Sequence, residues 1–133
     1  MYLNKAKSLP MASNERGQWF NNMGMAYFRL NKKNQAIKNF NKAIVFSPKE
    51  SQFWANLGGA YGSIGDYENS VFALRKGLNI APDSIHLRKN LAITYMHMGD
   101  FIKAVVTLEK IPLQEREKDI GINVLLRKAR ENI

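Results

Sequence analysis

The chain has 133 residues, 45% of them apolar, a formal charge of +9 and no cysteine. That length fits one ordinary domain or one short array, with enough apolar content for a continuous core. It excludes a disulfide framework and a thiolate metal site, and no stretch approaches the ~20 apolar residues that span a bilayer.

The first ten residues carry Lys5 and Lys7 and no apolar run of signal-peptide length. The expectation is a soluble, cytoplasmic protein with no transmembrane segment. The charge is uneven. Residues 1–50 hold nine Lys/Arg against two Glu, a net +7; residues 51–84 are at −1 and residues 85–133 at +3. A basic chain favours acidic partners and salt-dependent association, although such charges usually form a solvated helix face.

In chain order, Tyr2 to Leu9 reads as the short tail of a helix ended by Pro10. Residues 18–30 form the next expected helix, with Phe20, Met23, Tyr27 and Leu30 at helical spacing. A turn at 31–34 leads to a helix over 34–46, packed through Ala36, Ile37, Phe40, Ala43 and Ile44. Ser47-Pro48 stops it, since the residue before proline avoids helical angles. Residues 51–64 follow as a helix capped by Ser51 or the residue before it. Gly65-Asp66 turns the chain into a helix over 67–80. Asp83 or Ser84 caps the next, over 85–98, and Gly99-Asp100 repeats the earlier turn. A helix from Phe101 to about Lys110 ends at Pro112, and a last one covers 115–131, packed through Ile122, Leu125, Leu126 and Ala129.

These elements repeat. Trp54-x-x-Leu57-Gly58-x-x-Tyr61 stands between Phe20-x-x-Met23-Gly24-x-x-Tyr27 and Arg88-x-x-Leu91-Ala92-x-x-Tyr95, so Tyr27, Tyr61 and Tyr95 mark a 34-residue period. The places after each tyrosine keep register: Ala36, Phe40, Ala43 and Pro48; then Ser70, Leu74, Gly77 and Pro82; then Ala104, Leu108 and Ile111. The pattern resembles the tetratricopeptide repeat (TPR), with W-x2-L-G-x2-Y, then A-x3-F, then P. The third unit departs at Arg88, Ala92 and Ile111.

The resemblance implies an all-α fold, a right-handed α-solenoid of stacked antiparallel helix hairpins. The whole of 1–133 reads as one array: 1–16 a partial preceding unit, 17–50, 51–84 and 85–118 three repeats, and 119–133 a terminal or capping helix. Leu126 in the glycine place, and the half unit at the other end, favour a piece of a longer array. Apolar stack ends also give a route to self-association.

No catalytic set assembles from these residues. His86 and His97 lie eleven residues apart on one expected helix, roughly 16 Å at 1.5 Å per residue, so one metal cannot bridge them. There is no phosphate-binding G-x-x-x-x-G-K-[ST]. The expectation is a non-enzyme with no cofactor and no metal.

The resemblance points instead to binding. Asn22, Asn56 and Asn90 recur at one place in each repeat, which in similar arrays faces a concave groove and holds the backbone of an extended peptide. An Asn amide offers the acceptor and donors that match a peptide unit. Gly59 and Gly62 stand where the neighbouring units hold Met25 and Phe28, then Ile93 and Met96. Glycine inside a helix costs about 1 kcal/mol against alanine. Two explanations fit: a dip in the groove floor walled by larger side chains, or tighter helix packing. Around the ladder lie Gln18, Asn21, Arg29, Gln52, Ser63, His86 and Lys89, which keep the groove polar and mildly basic, and Arg29 and Lys89 suit an acidic ligand. A TPR subclass clamps chaperone C-termini with Lys, Asn, Asn, Lys and Arg; here those places hold Asn21, Met25, Asn56, His86 and Asn90, which argues against that mechanism. The leading expectation is a protein-interaction module or scaffold that binds an extended segment of a protein partner. The alternative, a nucleic-acid-binding helical repeat, draws on the basic excess. It is disfavoured because the basic residues concentrate on 34–46 and near the two ends, and the groove offers few aromatics for stacking.

Overall fold

The computed structural model describes residues 11–133; the helix expected over Tyr2 to Leu9 lies outside the described residues. Eight α-helices and no strands occur among the described residues. They divide into two compact units, Met1–Lys49 and Glu50–Ile133.

The first unit is a helix hairpin. Helix α1 (Ser13–Arg29) opens with Glu15, whose carboxylate accepts the Ala12 N–H at 3.3 Å, and closes with Arg29 in its last turn. Both charges suit the helix dipole. The chain then turns at Asn31, at φ 60°, a left-handed conformation that Asn tolerates better than most residues. Helix α2 (Lys33–Phe46) returns along α1 and buries Ala36, Phe40 and Ala43. Gly24 makes the close approach possible, because a Cβ there would lie 2.5 Å from the Phe40 ring. Of the apolar residues expected to pack on α1, Phe20, Met23 and Tyr27 are half-buried, but Leu30 is 67% exposed. It is the C-cap residue, past the last helical turn, and so has left the packed stripe.

The second unit holds α3 (Ser51–Ser63), α4 (Tyr67–Ile80), α5 (Ile85–His97), α6 (Phe101–Glu109), α7 (Leu113–Lys118) and α8 (Ile120–Glu131). Helices α3 and α4 pair, α5 and α6 pair, α4 packs on α5, and α8 covers α5 and α6. Each hairpin turn is set by a glycine with positive φ, Gly65 at 81° and Gly99 at 78°, where any side chain would be strained. The next residue caps the returning helix. Asp66 accepts from the Asn69 N–H at 3.3 Å and Asp100 from the Lys103 N–H at 3.1 Å. Ser84, one of the two expected caps of α5, accepts from the Leu87 N–H at 3.2 Å. At α3 the N-cap place falls to Glu50, with no side-chain bond. One core runs through the unit, from Ala55 and Leu74 through Leu87, Leu91 and Leu108 to Ile122 and Leu126. Each such aliphatic side chain, fully buried, stabilises by roughly 1.5–3 kcal/mol.

Trp54 and Tyr61, the aromatic signature of the second repeat, are half-buried, and Leu74 rather than either ring fills the centre. The last helix is two helices. Asp119 takes an extended conformation, φ −106° and ψ 104°, ends α7 and caps α8 by accepting the Ile122 N–H at 3.2 Å. A local Asp cap outcompetes helix continuation, and Gly121 beside it lowers helix propensity further.

Candidate functional site

The three ladder asparagines sit at equivalent places on α1, α3 and α5, and each is paired within its own helix. Gln18 Nε2 donates to Asn22 Oδ1 at 2.9 Å, and Gln52 Nε2 donates to Asn56 Oδ1 at 3.0 Å. In the third repeat Asn90 Nδ2 and His86 Nε2 are 3.3 Å apart. The partner is always one turn earlier, where side chains at i and i+4 meet. Each amide is therefore oriented by its own helix. Asn22 is exposed, while Asn56 and Asn90 are half-buried.

The glycines of α3 divide into two kinds. Gly58 is where α4 comes close: a Cβ there would lie 2.7 Å from Leu74 Cγ. At Gly59 a Cβ would meet nothing within 4 Å, and at Gly62 only Ser70 Oγ at 3.4 Å. Tight helix packing is thus the reason for Gly58 alone. Gly59 and Gly62 instead floor a cavity of about 280 Å³ between α3, α4 and α5. Tyr67 and His97 stack along one side of it, with ring centroids 5.4 Å apart and planes 1° from parallel. Ile93 and Asn90 line α5's side. At the base Ser70 Oγ donates to the Gly58 carbonyl at 2.8 Å and lies 3.3 Å from Thr94 Oγ1, whose hydroxyl donates to the Asn90 carbonyl at 2.9 Å. The base therefore holds its own polar groups satisfied, and the two rings and Ile93 form the walls.

Two expected residues stand elsewhere. Met96 packs against the core, and His97 takes its place at the cavity. Lys89 Nζ forms an ion pair with Asp119 Oδ2 at 3.0 Å. That hydrogen bond, with the Ile122 N–H second, holds the Asp119 carboxyl below its ordinary value. Gly121 leaves room for the pair, since a Cβ there would stand 3.4 Å from Lys89 Nζ. Lys89 is thus half-neutralised from within. Met25, Phe28 and Arg29 belong to the first unit, where Met25 is half-buried, its sulfur 3.7 Å from Asn21 Nδ2, and Phe28 and Arg29 are exposed. Among the described residues no group of three His, Asp or Glu side chains is placed to hold a metal, and no helix is long and apolar enough to cross a membrane.

Sequence models of the tetratricopeptide repeat match residues 18–50 and 63–121. The chain belongs to the tetratricopeptide repeat family. TPR domains of known structure superpose on it closely. The OM64 TPR domain of Arabidopsis has a TM-score of 0.83 at 13% identity, over 91% of this chain and 99% of that one. The TPR2B domain of yeast Sti1, solved as a pHsp70 complex, has a TM-score of 0.81 at 17% identity, over 90% of this chain and 99% of that one. Yeast Tom70 reaches 25% identity with a TM-score of 0.80, over 89% of this chain but only 24% of its own. No curated protein sequence matches the chain significantly.

Within the TPR register the residues that sequence reasoning missed have a simple signature. Ser70 stands where the other repeats hold Ala36 and Ala104, and Thr94 where they hold Ala26 and Ala60. A hydroxyl at a place otherwise kept as alanine marks the base of the cavity.

Proposed function

We propose that this TPR chain is a protein-interaction module that holds an extended peptide segment of a partner protein along the α3 and α5 residues of its second unit. The observation that carries the proposal is the open cavity over Gly59 and Gly62, beside two pre-oriented Asn amides. Asn56 and Asn90 hold the peptide backbone and contribute affinity without much sequence choice. The cavity takes one apolar side chain of the peptide against Tyr67, His97 and Ile93, and supplies the choice. Asn22, Met25 and Arg29 hold the equivalent repeat places on α1 of the first unit, where Arg29 would favour an acidic residue in a ligand of that unit. His86 serves through Asn90, which it orients, and Lys89 acts mainly on Asp119.

Several structural neighbours support this use of the fold. One, the first TPR of Spaghetti (RPAP3), is bound to an HSP90 peptide, and another, the Yersinia enterocolitica type III secretion chaperone SycD, is in complex with a peptide of the translocator YopD. The residues here set the choice apart from a chaperone C-terminus. The five places that the resemblance assigns to a carboxylate clamp hold Asn21, Met25, Asn56, His86 and Asn90, with neither Lys nor Arg among them. Asn21 is also 3% exposed, too buried to reach a ligand.

The test is a selection from a random peptide library on the purified chain, followed by titration of the selected peptides. Selected sequences should share one apolar anchor. Asn56→Ala should weaken them several-fold, in line with about 0.5–1.5 kcal/mol for one hydrogen bond. Gly59→Leu should abolish binding while the helix content stays unchanged. If both folded variants bind like the parent, the peptide is held elsewhere.

A further inference from the structure

The second unit carries a larger cleft on the other side of α5. It has a volume of about 530 Å³ and is lined from α4, α5 and α6. Its cations are Arg75, Arg88, Lys103 and Lys110, and no Asp or Glu lines it. Its apolar lining comes from Leu78, Leu91, Tyr95 and Val106, with Val106 50% exposed. Arg88 and Leu91 point roughly 160° around α5 from Asn90 and Ile93 at 3.6 residues per turn, so this cleft and the cavity over Gly59 are separate places.

The repeats explain how the cleft arose. One period earlier, Arg88, Lys103, Val106 and Lys110 correspond to Trp54, Asn69, Phe72 and Lys76. In that repeat those places carry large rings: Trp54 and Phe72 meet edge to face with centroids 6.4 Å apart, and Lys76 Nζ lies over Phe72. In the third repeat both rings are gone. A guanidinium and a valine replace them, and a second lysine is added. The exchange opens the space and changes it from aromatic to cationic. It is also where the third repeat departs most from the family pattern, at Arg88.

Arg88 is pre-positioned. Its Nη2 donates to the Pro82 carbonyl at 3.0 Å, which leaves other guanidinium donors for a ligand. Lys103 lies over the Tyr95 ring, 5.7 Å from its centroid, and 3.6 Å from Asp100. That pair is exposed and therefore weak. Arg75 and Lys110 are exposed, and no acid in the lining offsets the cationic field.

We propose that this cleft is a second binding site, and that it takes an acidic protein segment whose carboxylates meet Arg75, Arg88, Lys103 and Lys110 while an apolar side chain enters between Leu78 and Val106. Charge complementarity selects the acidic class. The apolar lining selects a protein segment over a nucleic acid. Stacked bases need an open aromatic face, and Tyr95, the one aromatic ring in the lining, is 8% exposed with Lys103 above it.

The experiment titrates the whole chain with a fluorescent peptide of alternating Glu and Leu, and in parallel with a Glu and Ser peptide and a single-stranded oligothymidylate. The Glu/Leu peptide should bind best, and more weakly as salt rises. Arg75→Glu with Lys110→Glu should weaken it by about tenfold or more. Lys38→Glu with Lys42→Glu, which reverses the same charge on α2, should leave it nearly unchanged, as should Gly59→Leu. A second variant, Arg88→Trp with Val106→Phe, fills the cleft with the rings of the second repeat. It should keep the fold, read by circular dichroism, and lose the peptide. Equal losses from the two charge reversals would reduce the effect to net charge and overturn the proposal. So would equal binding of the Glu/Ser peptide, tighter cleft-dependent binding of the oligothymidylate, or full binding by the refilled variant.

Discussion

Gly59 offers the sharpest test of the cavity because folding and binding should respond to it in opposite directions. It lies inside α3, yet a Cβ built there meets no atom within 4 Å. Alanine should therefore stabilise by the full helix-propensity difference, about 0.8–1.0 kcal/mol. For a unit of this size that corresponds to a rise of about 4–6 °C in melting temperature. The neighbouring residue provides the contrast. A Cβ at Gly58 would stand 2.7 Å from Leu74 Cγ and 3.3 Å from the Ser70 carbonyl. Leu74 is in the core and has nowhere to move, so Gly58→Ala should cost about 1–3 kcal/mol as overpacking. Two alanine variants one residue apart should thus move urea midpoints in opposite directions. Gly59→Leu, with a longer side chain over the same space, should close the cavity and lose the selected peptide without losing stability. A fall in the midpoint for Gly59→Ala would mean that the space is closed in solution. A rise accompanied by unchanged peptide affinity in Gly59→Leu would mean that the space is open but unused.

Other variants test neighbouring parts of the reasoning. Phe40→Ala should destabilise the first unit by about 3–5 kcal/mol, read by denaturation followed through Trp19 fluorescence; an unchanged midpoint would contradict its packing against Gly24. Ser70→Ala should cost about 1–2 kcal/mol, because it leaves the Gly58 carbonyl one donor short at a buried place. An unchanged midpoint would show that this bond does not contribute. The carboxyl of Asp119 is held low in the native state, chiefly by Lys89, so the unfolded chain binds its proton more readily. Its contribution is complete above the ordinary Asp range, and it fades as pH falls through the lowered native value. The protection factor of the Ile122 amide, its exchange rate compared with that of the unfolded chain at the same pH, should therefore fall in acid. Asp119→Asn should remove that pH dependence while keeping a cap. A protection factor that stays equally pH-dependent in Asp119→Asn would place the effect elsewhere.

The period carried by Tyr27, Tyr61 and Tyr95 placed most helices within a few residues, because turn glycines, capping acids and prolines recur in the same register. The last helix was misread because Asp119 looks like one more acid on a polar face. Its role as a cap depends on a backbone conformation that only the fold reveals, and Gly121 was the one local hint. The Asn ladder was legible as a repeat, and so was the in-helix pairing of Gln18, Gln52 and His86 with it, since both follow helical spacing. The pairing of Lys89 with Asp119 joins residues thirty apart, and no periodicity predicts it. The cationic cleft was hidden for a related reason. Counting charge along the chain put Arg75 in a nearly neutral segment, whereas folding brings it beside three cations from the next repeat.

The break at Asp119 has a further consequence for how the chain comes apart. Helix α7 is six residues long and buries none of them, so opening it exposes almost no apolar surface. Its opening free energy should be near zero while the rest of the unit stays closed. A protease should therefore cut first between Leu113 and Lys118, and the severed α8 should stay seated through Ile122, Leu126 and Ala129. The same six residues are the place where an inserted loop or tag should be tolerated with the least loss of stability.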